Sequence, residues 1–144
     1  MDRGSSCFLL FLIVSSLVYP SICHESDDAS CVAASKAYVL AFLTHDASHV
    51  PLHPLCTRRE NGIITGRSGP EIASSVEKSP QFRVIKSINE ETYVVENGIV
   101  MSKYVLDTGF GPITLKSQVQ ENFTCESYCG AQKIRTIVAC ISLF

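Results

Sequence analysis

At 144 residues, with a formal net charge of −2 and no Lys/Arg run, the chain has room for one domain and no basic face for nucleic acid. Apolar residues make up 46% of it, enough to build a core without depending on crosslinks alone. After Pro20 no segment is long and apolar enough to span a bilayer, which takes about 20 residues.

The N-terminus carries a compartment signal. Met1-Asp2-Arg3 precedes an apolar run from Cys7 to Tyr19 that Pro20 breaks, and the small residues Ser21 and Cys23 follow. That order predicts a secretion signal over residues 1–23, removed after Cys23. The polar stretch His24-Glu25-Ser26-Asp27-Asp28 argues against a retained anchor. Residues 24–144 then form one secreted, extracellular domain with no membrane association. Cys31, Cys56, Cys125, Cys129 and Cys140 remain in an oxidising compartment. Five is odd, so two bridges and one leftover thiol, buried or paired between chains, is the simplest account; the pairing stays open. Cys125-x3-Cys129 lacks the second pair or nearby His of a zinc site, and no metal or cofactor is expected. Asn122-Phe123-Thr124 is an N-glycosylation acceptor and, if used, places Asn122 on the surface.

Residues 24–30 read as a loose polar arm. Cys31 to His45 is rich in Ala and Leu, lacks Gly and Pro, and predicts a helix capped by Ser30. Ala34, Ala37, Tyr38, Ala41 and Phe42 recur at helical spacing, and Leu40 and Leu43 widen the apolar side. An irregular stretch, Asp46 to Pro54, follows. Asn61-Gly62 between residues 57–60 and 63–65 is a hairpin turn. Ser68-Gly69-Pro70-Glu71 is a capping box opening a second helix, with Ile72, Ala73 and Val76 as its stripe and Ser79-Pro80 as its stop. Strands are expected over Phe82–Ile88, Tyr93–Glu96, Ile99–Asp107, Ile113–Phe123 and Lys133–Leu143. Asn97-Gly98 and Gly109–Pro112 are turns, and Cys125–Cys129 lies in the last connection. This order is α+β, with helices on one face of an antiparallel meander. A long buried helix needs a curved sheet to wrap it, and the wrapped end can hold an apolar cavity.

Ala37-Tyr38-Val39-Leu40-Ala41-Phe42-Leu43, His45-Asp46, Val50-Pro51-Leu52, Arg58-Arg59-Glu60-Asn61-Gly62 and Gly66 resemble the SnoaL-like branch of the NTF2-like superfamily. That branch is mostly of unassigned function, with several secreted members. The resemblance implies a cone, a strongly bent antiparallel sheet around a long N-terminal helix plus a shorter one. The superfamily includes ketosteroid isomerase, polyketide cyclases, epoxide hydrolases and dehydratases beside binding and dimerisation modules, so fold says little about chemistry. Thr124–Cys129 replaces the short strand connection of these relatives.

Acid–base chemistry on such a cone needs a carboxylate or His and a donor for the developing oxyanion. Glu60, at the rim of the first hairpin, is the candidate base; the plainer reading pairs it with Arg58 or Arg59. Tyr93, Tyr104 and Asp107 are candidates from the sheet, with the tyrosines read first as core aromatics. Phe42, Tyr93 and Tyr104 are expected to border or underlie one apolar cavity, with Glu60 near its mouth. His45, His49 and His53 share a four-residue spacing, but Pro51 breaks any common helix and exposed loop histidines are the default. These residues point to a domain that binds a small hydrophobic molecule. The alternatives are an isomerase, cyclase or hydratase on the same scaffold, a dimerising interaction module (a homodimer), or a cystatin-like protease inhibitor. Against the last, Gln118-Val119-Gln120 lacks the Gly of the inhibitor hairpin.

Overall fold

The computed structural model describes residues 27–144; the secretion signal expected over residues 1–23 lies outside them, with Cys7 and Cys23. Helix α1 (Asp28–Thr44) starts earlier than expected because Asp27, not Ser30, caps it. The Asp27 carboxylate accepts from the Ser30 N–H at 3.3 Å and from the Ser30 hydroxyl, and Asp28 sits favourably at the positive end of the helix dipole. The buried side carries Cys31, Ala34, Tyr38, Val39, Ala41 and Phe42, whereas Leu40 and Leu43 face outward instead of widening it. His45 ends the helix in a left-handed conformation, its N–H on the Ala41 carbonyl at 2.8 Å.

Strand β1 (Leu52–Glu60) begins inside the stretch read as irregular. Pro54, which has no N–H to give, falls in the interval between Leu52 and Thr57 where pairing shifts register, so the strand tolerates it. Asn61 and Gly62, both with positive φ, turn the chain into β2 (Ile63–Gly66). Gly66 of the motif has a physical reason: a Cβ there would strike the Ile72 side chain. In α2 (Gly69–Lys78) the Ser68 hydroxyl accepts from the Glu71 N–H at 3.2 Å, while the Glu71 carboxylate reaches the Arg67 N–H at 2.8 Å. Phe82 does not open a strand. It lies in a short helix, α3 (Pro80–Arg83), where Pro80 fixes a helical φ and the ring is buried.

The two strands expected next are one, β3 (Ile85–Glu96), kinked by a bulge between Asn89 and Thr92 at which Glu90 has φ 56°. Strands β4 (Ile99–Thr108), β5 (Leu115–Tyr128) and β6 (Ala131–Leu143) complete a six-stranded sheet in the order β2-β1-β6-β5-β4-β3. One pair, β1 with β6, is parallel, so the sheet is mixed where an antiparallel one was expected. Cys125 is not in a loop: β5 runs through it and turns at Cys129-Gly130, which adopt the same positive-φ pair as the Asn-Gly turns. The sheet is open and bent around α1, α2 and α3. Tyr38, Val39, Ile72, Val76, Val100, Phe123, Ile134 and Ile137 form the core between them. Tyr38 packs edge-on against Phe42 and Phe123 at 4.9 and 5.7 Å, and Phe42 lies 5.0 Å from Phe82.

Cys31 is bonded to Cys125, joining the first turn of α1 to β5 across 94 residues of chain. This corrects the expectation of two bridges. Cys56 is buried on β1, Cys129 sits in the β5–β6 turn and Cys140 is exposed on the outer face of β6, three separate places. Among the described residues no helix is long and apolar enough to cross a membrane.

Two outcomes follow from this packing. Peptide mapping without reductant should recover Cys31 linked to Cys125, and replacing both by Ser should cost about 2–5 kcal/mol in denaturant unfolding. Full alkylation of the unreduced protein would contradict it. Phe42→Ala, emptying a space between Tyr38 and Phe82, should cost about 3–5 kcal/mol by the same measurement.

Candidate functional site

Alternation along a strand sends every second side chain to the concave face. Register carries one such row across five strands: Glu60 on β1, Ala139 on β6, Glu121 on β5, Ser102 on β4 and Tyr93 on β3. The next row toward the closed end is Arg58, Ile137, Phe123, Val100 and Val95. A polar row therefore crosses a face that is otherwise apolar.

Arg58 is 1% exposed and fully engaged. Its Nε donates to Thr65 Oγ1 at 3.0 Å, Nη1 to the Tyr38 hydroxyl at 3.3 Å, and Nη2 to Ser75 Oγ at 2.9 Å and the Thr65 carbonyl at 3.2 Å. The Phe82 ring lies 5.5 Å from the guanidinium carbon. Burial works against the charge, but the Tyr38 contact together with Glu60 and Glu121 outweighs it and holds Arg58 cationic. The Glu60 carboxylate lies 3.5 Å from Arg58 Nε.

Glu121 is 3% exposed and has no salt bridge among the described residues. It accepts the Tyr104 hydroxyl at 2.8 Å. Burial pushes its pKa up to about 7, opposed by the Tyr104 hydrogen bond, with the Glu60 charge raising it and Arg58 lowering it. Burial, then the Glu121 charge, likewise drives the Tyr104 hydroxyl well above its ordinary value. On the neighbouring rung the buried Ser102 hydroxyl has no hydrogen-bond partner among the described residues.

Toward the open end lies a recess of about 270 Å³. Phe82, Ile85, Leu106 and Ile141 wall it, and Glu60 and Ser117 are polar points on its surface. Its edge is pinned by Asn61, whose side chain donates to the Ile141 carbonyl at 3.2 Å and accepts the Ile141 N–H at 2.8 Å. A carboxylate and a hydroxyl at the rim of an apolar wall can orient a small molecule that has one polar group.

The sequence candidates separate in space. Glu60 lies on the recess. Tyr104 lies deeper, beneath it, and Phe42 stands behind Phe82 in the core. The Tyr93 hydroxyl turns to Glu91 at 3.0 Å. Asp107 is on the opposite phase of β4 and bonds Ser87, Asn89 and Lys116 at the surface, and the Lys116 contact holds its carboxyl below the ordinary range. His53 is buried, against the default of exposed histidines, with Nδ1 accepting the Leu55 N–H at 3.0 Å and its ring edge-on to Tyr128. His45 ends α1 and His49 is exposed in the loop, so the three imidazoles do not converge. Sequence reasoning missed Arg58 as a buried anchor, Glu121, Ser102 and Phe82. The signal for Glu121 was present in Ser117-x-Val119-x-Glu121-x-Phe123, where it shares the phase of core residues.

Because Glu121 titrates near 7 in the folded protein and near 4.5 in the unfolded chain, the native state binds the extra proton between those values. Stability contributed at this site therefore falls as pH rises through that window, by about 3 kcal/mol in all. Denaturant unfolding from pH 4.5 to 7.5 should show the wild type losing stability relative to Glu121→Gln. Parallel curves would contradict a buried titrating carboxyl.

No curated protein matches the chain in sequence. Among solved structures it is similar to a protein from Kribbella flavida DSM 17836, with 12% identity, TM-score 0.61, and coverage of 79% of this chain and 88% of that one. It is also similar to a ketosteroid isomerase-like protein from Erwinia carotovora atroseptica SCRI1043, at 16% identity, TM-score 0.59, and 81% and 97% coverage. An NTF2-like protein of unknown function from Cytophaga hutchinsonii ATCC 33406 gives 9% identity, TM-score 0.58, and 78% and 99% coverage. At such identities the likeness is one of fold, and that fold is the NTF2-like cone. The family model described as a domain of unknown function, DUF8021, matches residues 25–141, and the chain belongs to that family.

Proposed function

We propose that residues 24–144 are a secreted domain, of the SnoaL-like kind within the NTF2-like fold, that holds a small apolar molecule in the concave recess without turning it over. One observation carries this reading: the acid with a perturbed pKa, Glu121, lies beneath the recess, whereas the acid on the recess, Glu60, is committed to Arg58. The volume of about 270 Å³ is near the small end of ligand sites, which run from about 300 Å³ upward. Ile63, Leu115 and Leu143 pair with Glu60, Thr108 and Ser117, so they extend an exposed apolar rim on the same face. The ligand is thus an apolar body whose single hydroxyl or carbonyl meets Ser117 or Glu60. The Cys31–Cys125 bridge supports an oxidising compartment.

A second reading has one observation in its favour. A carboxyl titrating near 7 under a Tyr hydroxyl suits acid–base catalysis, provided a substrate reaches inward along the row from Glu60 to Glu121.

A medium-chain alcohol or a sterol should raise the melting temperature, by the equivalent of about 2.7 kcal/mol at a hundred times its Kd. Ile141→Arg, at a half-exposed wall position, should abolish that rise with little change in the unliganded protein, and Glu60→Gln should keep it. A ligand shift that survives Ile141→Arg would move the site elsewhere. If any substrate is consumed, a loss of about 10²-fold or more in Glu121→Gln favours the enzyme.

A further inference from the structure

Every second residue that avoids the concave face lies on the outer face of the sheet. There the register sets Val94, Met101, Asn122 and Val138 in one row across four strands. Val94 and Val138 are 52% and 47% exposed, and Asn122 is exposed between the side chains of Met101 and Val138. Beside this row, Val94, Met101, Lys103 and Gln120 line an open groove of about 540 Å³. An exposed apolar stripe over the middle of a sheet invites a covering partner. The chain carries its own means of supplying one. Asn122-Phe123-Thr124 is the sole Asn-x-Ser/Thr triplet in the sequence, and it falls on the central residue of that stripe.

We infer that the outer face is covered by an N-linked glycan on Asn122, whose first sugars lie over Met101 and Val138. The inference rests on the secretion reading above. The transfer precedes β5–β6 pairing, since in the folded chain the Thr124 hydroxyl is hydrogen-bonded to that of Thr136 at 2.5 Å. Asn122 Nδ2 loses one proton and bonds to the anomeric carbon of an oligosaccharide. The bond from that carbon to its lipid-linked pyrophosphate donor breaks, and the pyrophosphate leaves with the electron pair. Sugar rings present C–H faces to apolar side chains and hydroxyls to water, which suits a stripe of Val and Met flanked by Lys103 and Gln120.

Two free thiols make the placement testable. Cys140 pairs with Gln120, so it sits diagonally across from Asn122, at about 7–8 Å by strand geometry. Cys129 is equally free and exposed, but at the β5–β6 turn. The protein is produced in a glycosylating secretory host and alkylated with a bulky maleimide before and after enzymatic removal of the glycan from the folded chain. Removal should speed labelling of Cys140 several-fold and leave Cys129 unchanged. Asn122→Gln should match the deglycosylated rates, and Thr124→Ser, which keeps the acceptor, should match the wild type. Equal Cys140 rates with and without the sugar would overturn the covering. A secreted chain with no sugar on Asn122 would overturn the modification while leaving the recess reading standing. Retention of the chain inside the cell would overturn secretion itself, and this inference with it.

Discussion

The arrangement of this molecule turns on one buried cation. Taking a guanidinium out of water costs several kcal/mol unless nearly every donor finds an acceptor. Arg58 meets that condition only because α1 delivers the Tyr38 hydroxyl, β2 delivers both oxygens of Thr65 and α2 delivers the Ser75 hydroxyl. The requirement ties the hairpin, both longer helices and β1 to one point. It also closes one end of the curved sheet. Nothing comparable draws the helices together over Leu106, Ser117 and Ile141, and the recess lies there.

The same cation explains why two carboxylates on one row behave differently. Glu60, at the strand end next to Arg58 and partly in water, keeps a charge partner at 3.5 Å. Glu121, two strands away on that row, has a neutral hydroxyl as its hydrogen-bond partner and loses its hydration to burial. Desolvation then outweighs a single hydrogen bond, and the proton stays until the pH is near neutral. The row is polar except at Ala139, and only its outer member is positioned to meet a ligand.

How much of this was legible in the sequence depends on how local each determinant is. Asn61-Gly62 and Asn97-Gly98 were readable because a type I′ turn demands positive φ at both residues, and few dipeptides supply it. The Ser68–Glu71 cap was readable for the same reason, a contact made within one turn. The Cys129-Gly130 turn has only its Gly as a signal, so the length of β5 and β6 was hidden and Cys125 read as loop. Asp27 was overlooked as a cap because two further polar residues, Asp28 and Ser30, offered the same chemistry nearby. Phe82 followed a Pro that marks a helix start as well as a helix stop, and tertiary burial against Phe42 decided between them. At the site, Glu60 was visible through its turn. Arg58 and Glu121 were not, because the contacts of Arg58 with the helices and of Glu121 with Tyr104 span 17 or more residues of chain.

The depth of Glu121 is what the proposal of binding over catalysis rests on. A general acid or base must come within about 2.6–3.2 Å of the proton it moves. Here one carboxylate oxygen is held by Tyr104 at 2.8 Å, and the carboxyl as a whole is covered. When Glu121 is protonated it also needs an acceptor. Ser102, opposite Glu121 on the ladder, has a buried hydroxyl with no hydrogen-bond partner among the described residues. Of these three groups only Tyr104 and Glu121 are hydrogen-bonded, and the Ser102 hydroxyl is left unsatisfied among the described residues. The open chemistry of the concave face lies at the recess: an apolar wall with the polar side chains of Gln81, Thr108, Ser117 and Glu60, the last beside Arg58. Such a surface has groups to select and orient a ligand, but its only acid with a suitable pKa faces inward.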